Sequence, residues 1–361
     1  MKILITGNMG YVGPAVIRQL RETCPEATLV GYDTGYFAHC LTAAPRLPEV
    51  LLAKQVFGDT RDIDESLLRG CDAVVHLAAI SNDPMGNSYA EVTRAINQEA
   101  SLRLARIAAD CGVKSFVFAS SCSVYGVADG PPRREGDQLN PITAYAQSKI
   151  GTEQGLEQLG GEMKITCLRF ATACGMSDRL RLDLVLNDFV AAALTSGKIT
   201  VLSDGTPWRP LIDTADMARA IDWAVMRAPE NGGRMLRVNA GAQEANYQVR
   251  HLAERVAAAI PGTQTSINTD APADSRSYRV DFSRFTELAP GHLPRVTLDQ
   301  SIAQLVRGLT AMGFGDAEFR SSPLMRLKTI QQHVETGRLT ADLRWAEAAA
   351  AGANLVPEFA A

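Results

Sequence analysis

Six short apolar runs, separated by helical patterns, constrain this chain more than any other feature. They are ILIT (3–6), TLVGY (28–32), QVF (55–57), AVVHLA (73–78), SFVFAS (115–120) and ITCLRF (165–170). All are rich in β-branched or aromatic residues and none alternates apolar with polar, the pattern of strands buried on both faces. Amphipathic segments lie between them, clearest in Val92–Cys111, whose apolar residues recur at helical spacing. Repeated strand–helix–strand units predict an α/β fold, a doubly wound parallel (Rossmann-like) sheet with ligands at the carboxyl ends of its strands.

Beyond residue 170 the pattern loosens. A polar loop, a helix around Leu184–Ser196 and the Gly/Pro-containing run SDGTPWRPLI (203–212) come first. A helix over Asp213–Met226 and the strand-like MLRVNA (235–240) are expected to return to the sheet. Helix His251–Ile260, the RSYRVDF segment (276–282) and helix Asp299–Met312 read as a second lobe. The expected organisation is a dinucleotide domain over 1–170 and 213–245, a smaller α/β substrate-binding lobe over 171–212 and 246–320, and a helical tail over 321–361. The tail holds one more amphipathic helix (Pro323–Val334) and an Ala-rich end, to which no chemistry is assigned.

The bulk numbers exclude several functions. A net charge of −4 and a pI near 5.8 offer no basic face for nucleic acid or anionic lipid. No apolar stretch approaches the roughly 20 residues needed to span a bilayer, and no signal peptide precedes the first run, so a cytoplasmic location is expected. Seven cysteines (24, 40, 71, 111, 122, 167, 174) are scattered without CxxC spacing. They read as buried free thiols, with no metal site. The five histidines are isolated, and His76, inside VVHLAA, reads as a packed strand residue.

After the first run comes GNMGYVG (7–13), with glycines at 7, 10 and 13 opening a helical segment. A phosphate needs backbone N–H donors at a helix N-terminus and no Cβ in the way, and this loop supplies both. Taken alone the glycines mark only a tight turn, but their place in a βαβ series points to a dinucleotide. Asp33, twenty residues past Gly13 at the end of the second run, is placed to accept the adenosine ribose hydroxyls. A 2′-phosphate would meet like charge there, so NAD is expected over NADP; His39, Arg46 and Lys54 are more distant. Asp59, after the third run, is placed to reach the adenine, and the small residues of AAIS (78–81) let the cofactor lie close.

Taken together, GNMGYVG (7–13), HLAA (76–79), Asn97, SSCSVYG (120–126) and YAQSK (145–149) resemble the extended short-chain dehydrogenase/reductase family. Within it the chain is most similar to the nucleotide-sugar epimerases and dehydratases, over roughly residues 1–310. On its own, the Tyr145–Lys149 pair would be two polar residues sharing a helix face; the resemblance makes Tyr145, Lys149 and Ser121 catalytic. It implies NAD held by Gly7, Gly10, Tyr11, Val12, Gly13, Asp33, Asp59, Thr60, Leu77, Ala78, Ala79, Asn97, Ser120, Tyr145, Lys149 and Thr172. It implies a nucleotide-diphosphate sugar meeting Ser81, Ser121, Ser123, Tyr145, Asn187, Arg209 and Arg276, with Arg181 a third candidate cation. Tyr125 is expected to pack. A homodimer through helices Val92–Cys111 and Ile150–Leu159 is expected by the same resemblance.

The chemistry agrees with these roles. A phenol with a pKa near 10 is a poor base at neutral pH. A lysine ammonium one turn away and the positive nicotinamide ring favour the phenolate. The family's dehydratases carry an Asp–Glu pair where this chain has Cys122 and Ser123, and eliminating water needs an acid beside the leaving group. Dehydration is therefore disfavoured and a 4-epimerase expected. A keto-sugar reductase is the alternative, and a non-catalytic nucleotide-binding protein a distant third. Two departures bear on the sugar: Ala171 and Thr172 stand where most relatives carry an asparagine, and the loop SNDPMGN (81–87) is unusual and a candidate to face the substrate.

Overall fold

In the computed structural model, which describes residues 1–42, 44–81, 83–127, 130–270 and 277–346, the six apolar runs are six parallel strands. They are β1 (Lys2–Thr6), β2 (Thr28–Asp33), β3 (Lys54–Phe57), β4 (Ala73–His76), β5 (Ser115–Ser121) and β6 (Lys164–Phe170). Six further strands follow: β7 (Thr172–Cys174), β8 (Lys198–Val201), β9 (Trp208–Asp213), β10 (Met235–Ala240), β11 (Asn246–Gln248) and β12 (Gln264–Ile267). The main helices are α1 (Gly13–Thr23), α2 (Asp83–Ser88), α3 (Ala90–Arg94), α4 (Ala100–Asp110), α5 (Ala144–Gln158) and α6 (Val185–Ser196). They continue with α7 (Thr214–Met226), α8 (Val249–Ala259), α9 (Ser283–Leu288), α10 (Leu298–Ala311) and α11 (Arg326–Glu335).

The large sheet runs β10-β6-β5-β4-β1-β2-β3, all parallel. It is the doubly wound Rossmann-like sheet expected, and its strand order reverses between β1 and β4, where such sheets open a crevice for ligands. Helices cover both faces: Val16, Ile17 and Leu20 of α1 join Met217, Ile221 and Ala224 of α7 on one, and Leu104 and Ala108 of α4 join Leu156 of α5 on the other. A second apolar cluster gathers α6, α8 and α10 around a three-stranded sheet (β11-β9-β7) and the parallel pair β12-β8.

Three local differences from the sequence reading have physical causes. The run SDGTPWRPLI, which its prolines make look like a loop, contains β9. Pro210 pairs with Asn246 at the end of the β11 ladder, and pairing to β7 begins at the next residue, Leu211, so the missing N–H falls where partners change. The loop 81–87 is largely the short helix α2, with Pro84 near its start. The helix expected over Val92–Cys111 starts at Ala90 and is interrupted by a wide turn over Ala95–Glu99. That turn carries Asn97, whose side chain accepts from Ile80 N at 2.8 Å and donates to Ile80 O at 2.9 Å.

His76 is buried, its Nδ1 2.6 Å from the Thr6 hydroxyl and its Nε2 2.7 Å from that of Ser101; burial pulls its pKa down to about 3, so it packs as a neutral ring. Tyr125 also packs, donating to Asn239 Oδ1 at 2.7 Å. All seven cysteines are free thiols. No helix among the described residues is long and apolar enough to cross a membrane. Under the β5–β6 edge, Arg169 and Glu153 form an ion pair of 2.6 Å with both side chains at most 2% exposed. Glu153 also accepts from Ser120 at 2.5 Å. Replacing Arg169 by Met would strand the carboxylate, so Arg169→Met should cost about 3–5 kcal/mol in a urea melt; an unchanged midpoint would refute the pair's structural role.

Candidate active site

A cavity of about 1180 Å³ follows the carboxyl edge of the large sheet. The loop after β1 forms its floor. Gly7 has φ +75°, and a Cβ there would stand 2.5 Å from Ala78 N, so only glycine lets β1 and β4 release their loops side by side. Gly10 N–H donates to Gly7 O at 3.1 Å. Gly13 does not face the cavity. A Cβ on it would lie 1.9 Å from Asn8 O, so its role is to let α1 start tightly against the loop. Pro14 sits in the first turn, where its absent N–H is no loss.

Asp33 fastens this loop. Its Oδ2 accepts from Met9 N at 3.0 Å and its Oδ1 from Gly35 N at 2.7 Å, while burial raises its pKa against the pull of those bonds. It lines the cavity with both oxygens still able to accept from a ribose. Thr60, Leu77, Ala78 and Ala79 line the cavity beside it. Asp59 does too, but Arg61 forks onto it, with Nη2 at 2.5 Å from Oδ2, so its carboxylate is already engaged. Among the described residues no group of three or more His, Cys, Asp or Glu side chains is placed to hold a metal ion.

Tyr145 stands in the first turn of α5, whose N-cap Thr143 accepts from Ala146 N at 3.1 Å. Its hydroxyl lies close enough to Ser121, at the end of β5, for that hydroxyl to favour the phenolate, and both line the cavity. Lys149, one turn on and 3% exposed, donates to Ala119 O at 2.7 Å, with its Nζ 5.4 Å from the Tyr145 ring centre. The expected lowering of the phenol by Lys149 is not what the protein alone produces. Burial, with Asp83 next, pushes Tyr145 up to about 12; the nearby Ser121 hydroxyl and Arg181 oppose them. Burial also pulls Lys149 down to about 7, against the nearby Glu153.

The expected site residues divide. Ser81, Ser121, Ser123, Thr172, Arg181 and Arg209 line the same cavity as Tyr145. The Ser123 hydroxyl is buried without a hydrogen-bond partner. Arg181 is paired to Asp183 at 2.6 Å and donates to Ser81 Oγ at 2.9 Å, which puts it at the Tyr145 end. Three residues act differently from the expectation. Asn97 lies behind Ile80 as a brace and does not face the cavity. Asn187 is buried, bonded to Gly175 N, the Tyr11 hydroxyl and Arg181 O, and does not line the cavity either. The Ser120 hydroxyl is taken by Glu153. Tyr11 likewise turns its hydroxyl to Gly175 O at 2.5 Å, leaving its backbone to the loop. Arg276, Asn82 and the Ala-rich end from 347 onward lie outside the described residues.

The geometry adds residues that spacing did not single out. Asp83, held by Thr143 Oγ1 at 2.8 Å, enters beside Tyr145 from α2. A Cβ on Gly86 would stand 3.0 Å from that of Tyr145, so α2 packs directly on the tyrosine. The unusual loop 81–87 was the available signal. Tyr278 also lines the cavity, and Phe189, Val201 and Leu202 wall the end formed by α6 and β8.

A sequence profile of the NAD dependent epimerase/dehydratase family matches residues 3–241. The chain belongs to that family. The UDP-glucose 4-epimerase of Mycolicibacterium smegmatis is 26% identical to it over 318 residues, 85% of this chain and 97% of that protein. The dTDP-glucose 4,6-dehydratase of an Actinoplanes strain is 25% identical over 319 residues, with the same coverage. The solved UDP-glucose-4-epimerase from Stenotrophomonas maltophila, which holds NAD, superposes with a TM-score of 0.74 at 22% identity, covering 87% of this chain and 99% of that one, a likeness of fold. The family is NAD-dependent and NAD is the cofactor; the Cβ-free floor at Gly7 and the Asp33 acceptor fit it.

Lys149 gives the family's site a pH signature. Between pH 7 and its ordinary value near 10.5, the unfolded chain holds a proton that folded Lys149 has released, so stability rises with pH through that window. Lys164, lowered to about 8, acts in the same sense, and a comparison with Lys149→Met isolates Lys149. From pH 7 to 8.5, cofactor-stripped wild type should gain about 1–2 kcal/mol on the variant in urea melts. Parallel profiles would show that Lys149 keeps its proton.

Proposed function

We propose that this protein is an NAD-dependent epimerase acting on the sugar of a nucleoside diphosphate sugar. The observation that carries the reading is one cavity joining the dinucleotide loop, Tyr145 with Ser121 beside it, and arginines 181 and 209. UDP- and dTDP-glucose appear in the names of the relatives, which supports a nucleotide-sugar substrate. Cys122 and Ser123 supply no carboxylate to drive out water, which favours epimerisation over dehydration.

In this reading NAD, when bound, accepts a hydride from the sugar and returns it. Tyr145 accepts the proton of the sugar hydroxyl as the keto sugar forms and gives it back when the opposite face is reduced. Ser121 holds the oxygen whose proton moves, and the unpartnered Ser123 hydroxyl is available to a second sugar hydroxyl. Arg209 on β9, half-buried at the cavity wall, suits the diphosphate oxygens. A homodimer through α4 and α5 belongs to the same proposal.

One observation favours a second reading, a keto-sugar reductase: burial keeps Tyr145 protonated, the state that donates to a ketone. Denaturing the purified protein separates the two. The epimerase should release stoichiometric NAD and interconvert nucleotide sugars without added cofactor; an empty protein that turns over only with added reduced cofactor would overturn it. Tyr145→Phe should cut turnover by about a thousandfold while NAD stays bound. Undiminished activity would remove Tyr145 from the chemistry.

A further inference from the structure

The helix α11 brings to the cavity an arginine that the mechanism above leaves unexplained. Arg326 is 2% exposed and lines the cavity. Its Nη2 donates to Arg179 O at 2.7 Å, and its guanidinium lies 4.4 Å from the centre of the Phe37 ring. Its Nη1 is buried with no hydrogen-bond partner. The charges it feels include Asp183, already paired with Arg181, and Arg181 itself. Burial without an anion of its own lowers its pKa to about 10, against the weaker pull of Cys40.

A guanidinium in that condition is costly unless an anion arrives, and its planar fork matches phosphate oxygens. The glycine loop offers only backbone donors, since GNMGYVG contains no Lys or Arg. Phe37, on which Arg326 stacks, belongs to the loop that leaves β2 after Asp33, whereas Arg209 lies on β9. The cation therefore touches the loop that borders the Asp33 end of the cavity, while also feeling Arg181 and Asp183.

We propose that Arg326 binds the diphosphate of the dinucleotide cofactor, so that the C-terminal helix completes the cofactor site. The segment is fastened where this role requires. Trp345 Nε1 donates to Thr34 O at 2.7 Å, Arg61 Nη1 to Asp342 O at 2.8 Å, and the Tyr36 hydroxyl to Leu343 O; Arg344 pairs with Asp62. His333 Nε2 lies 3.1 Å from Tyr36 O. Arg326 falls outside the 3–241 span of the family profile.

Calorimetric titration of wild type, Arg326→Gln and Arg326→Lys with NAD, ADP-ribose, adenosine and UDP tests the assignment without reference to turnover. The Gln variant should bind NAD and ADP-ribose about ten- to a hundredfold more weakly, with adenosine and UDP changed by no more than about twofold. The Lys variant, which keeps the charge, should retain most of the NAD affinity. Unchanged NAD affinity in the Gln variant would overturn the proposal, and so would a loss confined to UDP, which would give the cation to the sugar nucleotide. If the Gln variant loses all four ligands, the Lys variant decides: retained NAD binding supports the charge, and loss of all four again would reduce Arg326 to a structural residue.

Discussion

Where β1 and β4 end, the backbone of Gly7 passes so close to Ala78 that no side chain fits between them. Gly7 N–H donates to Tyr32 O at 2.8 Å and Leu77 N–H to Thr6 O at 3.0 Å, so three strand ends are locked at one level. Asp33 holds the loop from the other side through Met9 N. The approach leaves a floor free of Cβ beside the start of α1, which is what a diphosphate needs. Every later feature of the cavity takes its position from this floor, because Ser121 and Thr172 follow neighbouring strands of the same sheet.

The Tyr145–Lys149 pair is governed by desolvation more than by mutual attraction. Burial favours the neutral form of each group, so Tyr145 is driven up to about 12 and Lys149 down to about 7. Lys149 spends its near-term hydrogen bond on Ala119 O, which fixes the end of β5 and through it Ser121. The protein's own charges thus leave Tyr145 an acid at neutral pH. Any role as base needs positive charge brought in with the cofactor, which couples proton transfer to the loaded state and suppresses it in the bare protein.

The large sheet was legible because strands buried on both faces leave an unmistakable apolar record, and all six early runs lie within observed strands or extend slightly beyond them. The second layer was not. Strands β8 and β12 are short and at least half-exposed, and Pro210 argues against β9 until its change of partners is seen. Gly7, Gly10, Asp33, Ser121, Tyr145 and Lys149 stood out in the sequence because the expected chemistry restricts residue type, and all six line the cavity. Asn97, Asn187 and the Ser120 hydroxyl meet protein groups where a ligand contact was expected, for a physical reason. A buried polar side chain near a site must satisfy its bonds whether or not a ligand does so, and these three do so on Ile80, on Tyr11 with Arg181, and on Glu153. Arg326 was invisible because its meaning depends on a fold-back of the tail that no local pattern encodes.

Those braces also explain how two halves of one cavity keep a common geometry. Asn187 donates to the Tyr11 hydroxyl and to Arg181 O, and accepts from Gly175 N, while Tyr11 donates to Gly175 O and Ser177 Oγ donates to Tyr11 O. Tyr11 is part of the dinucleotide loop and Arg181 faces Tyr145, so a buried, nearly closed ring of bonds ties the cofactor floor to the substrate wall. Burial raises the Tyr11 phenol well above its ordinary value, which keeps it a donor at any working pH. In the proposed reaction a hydride crosses between two ligands held by different segments of the chain, and a displacement of about an ångström is enough to slow such a step. Polar residues that touch neither ligand can therefore set the rate through the distance they enforce.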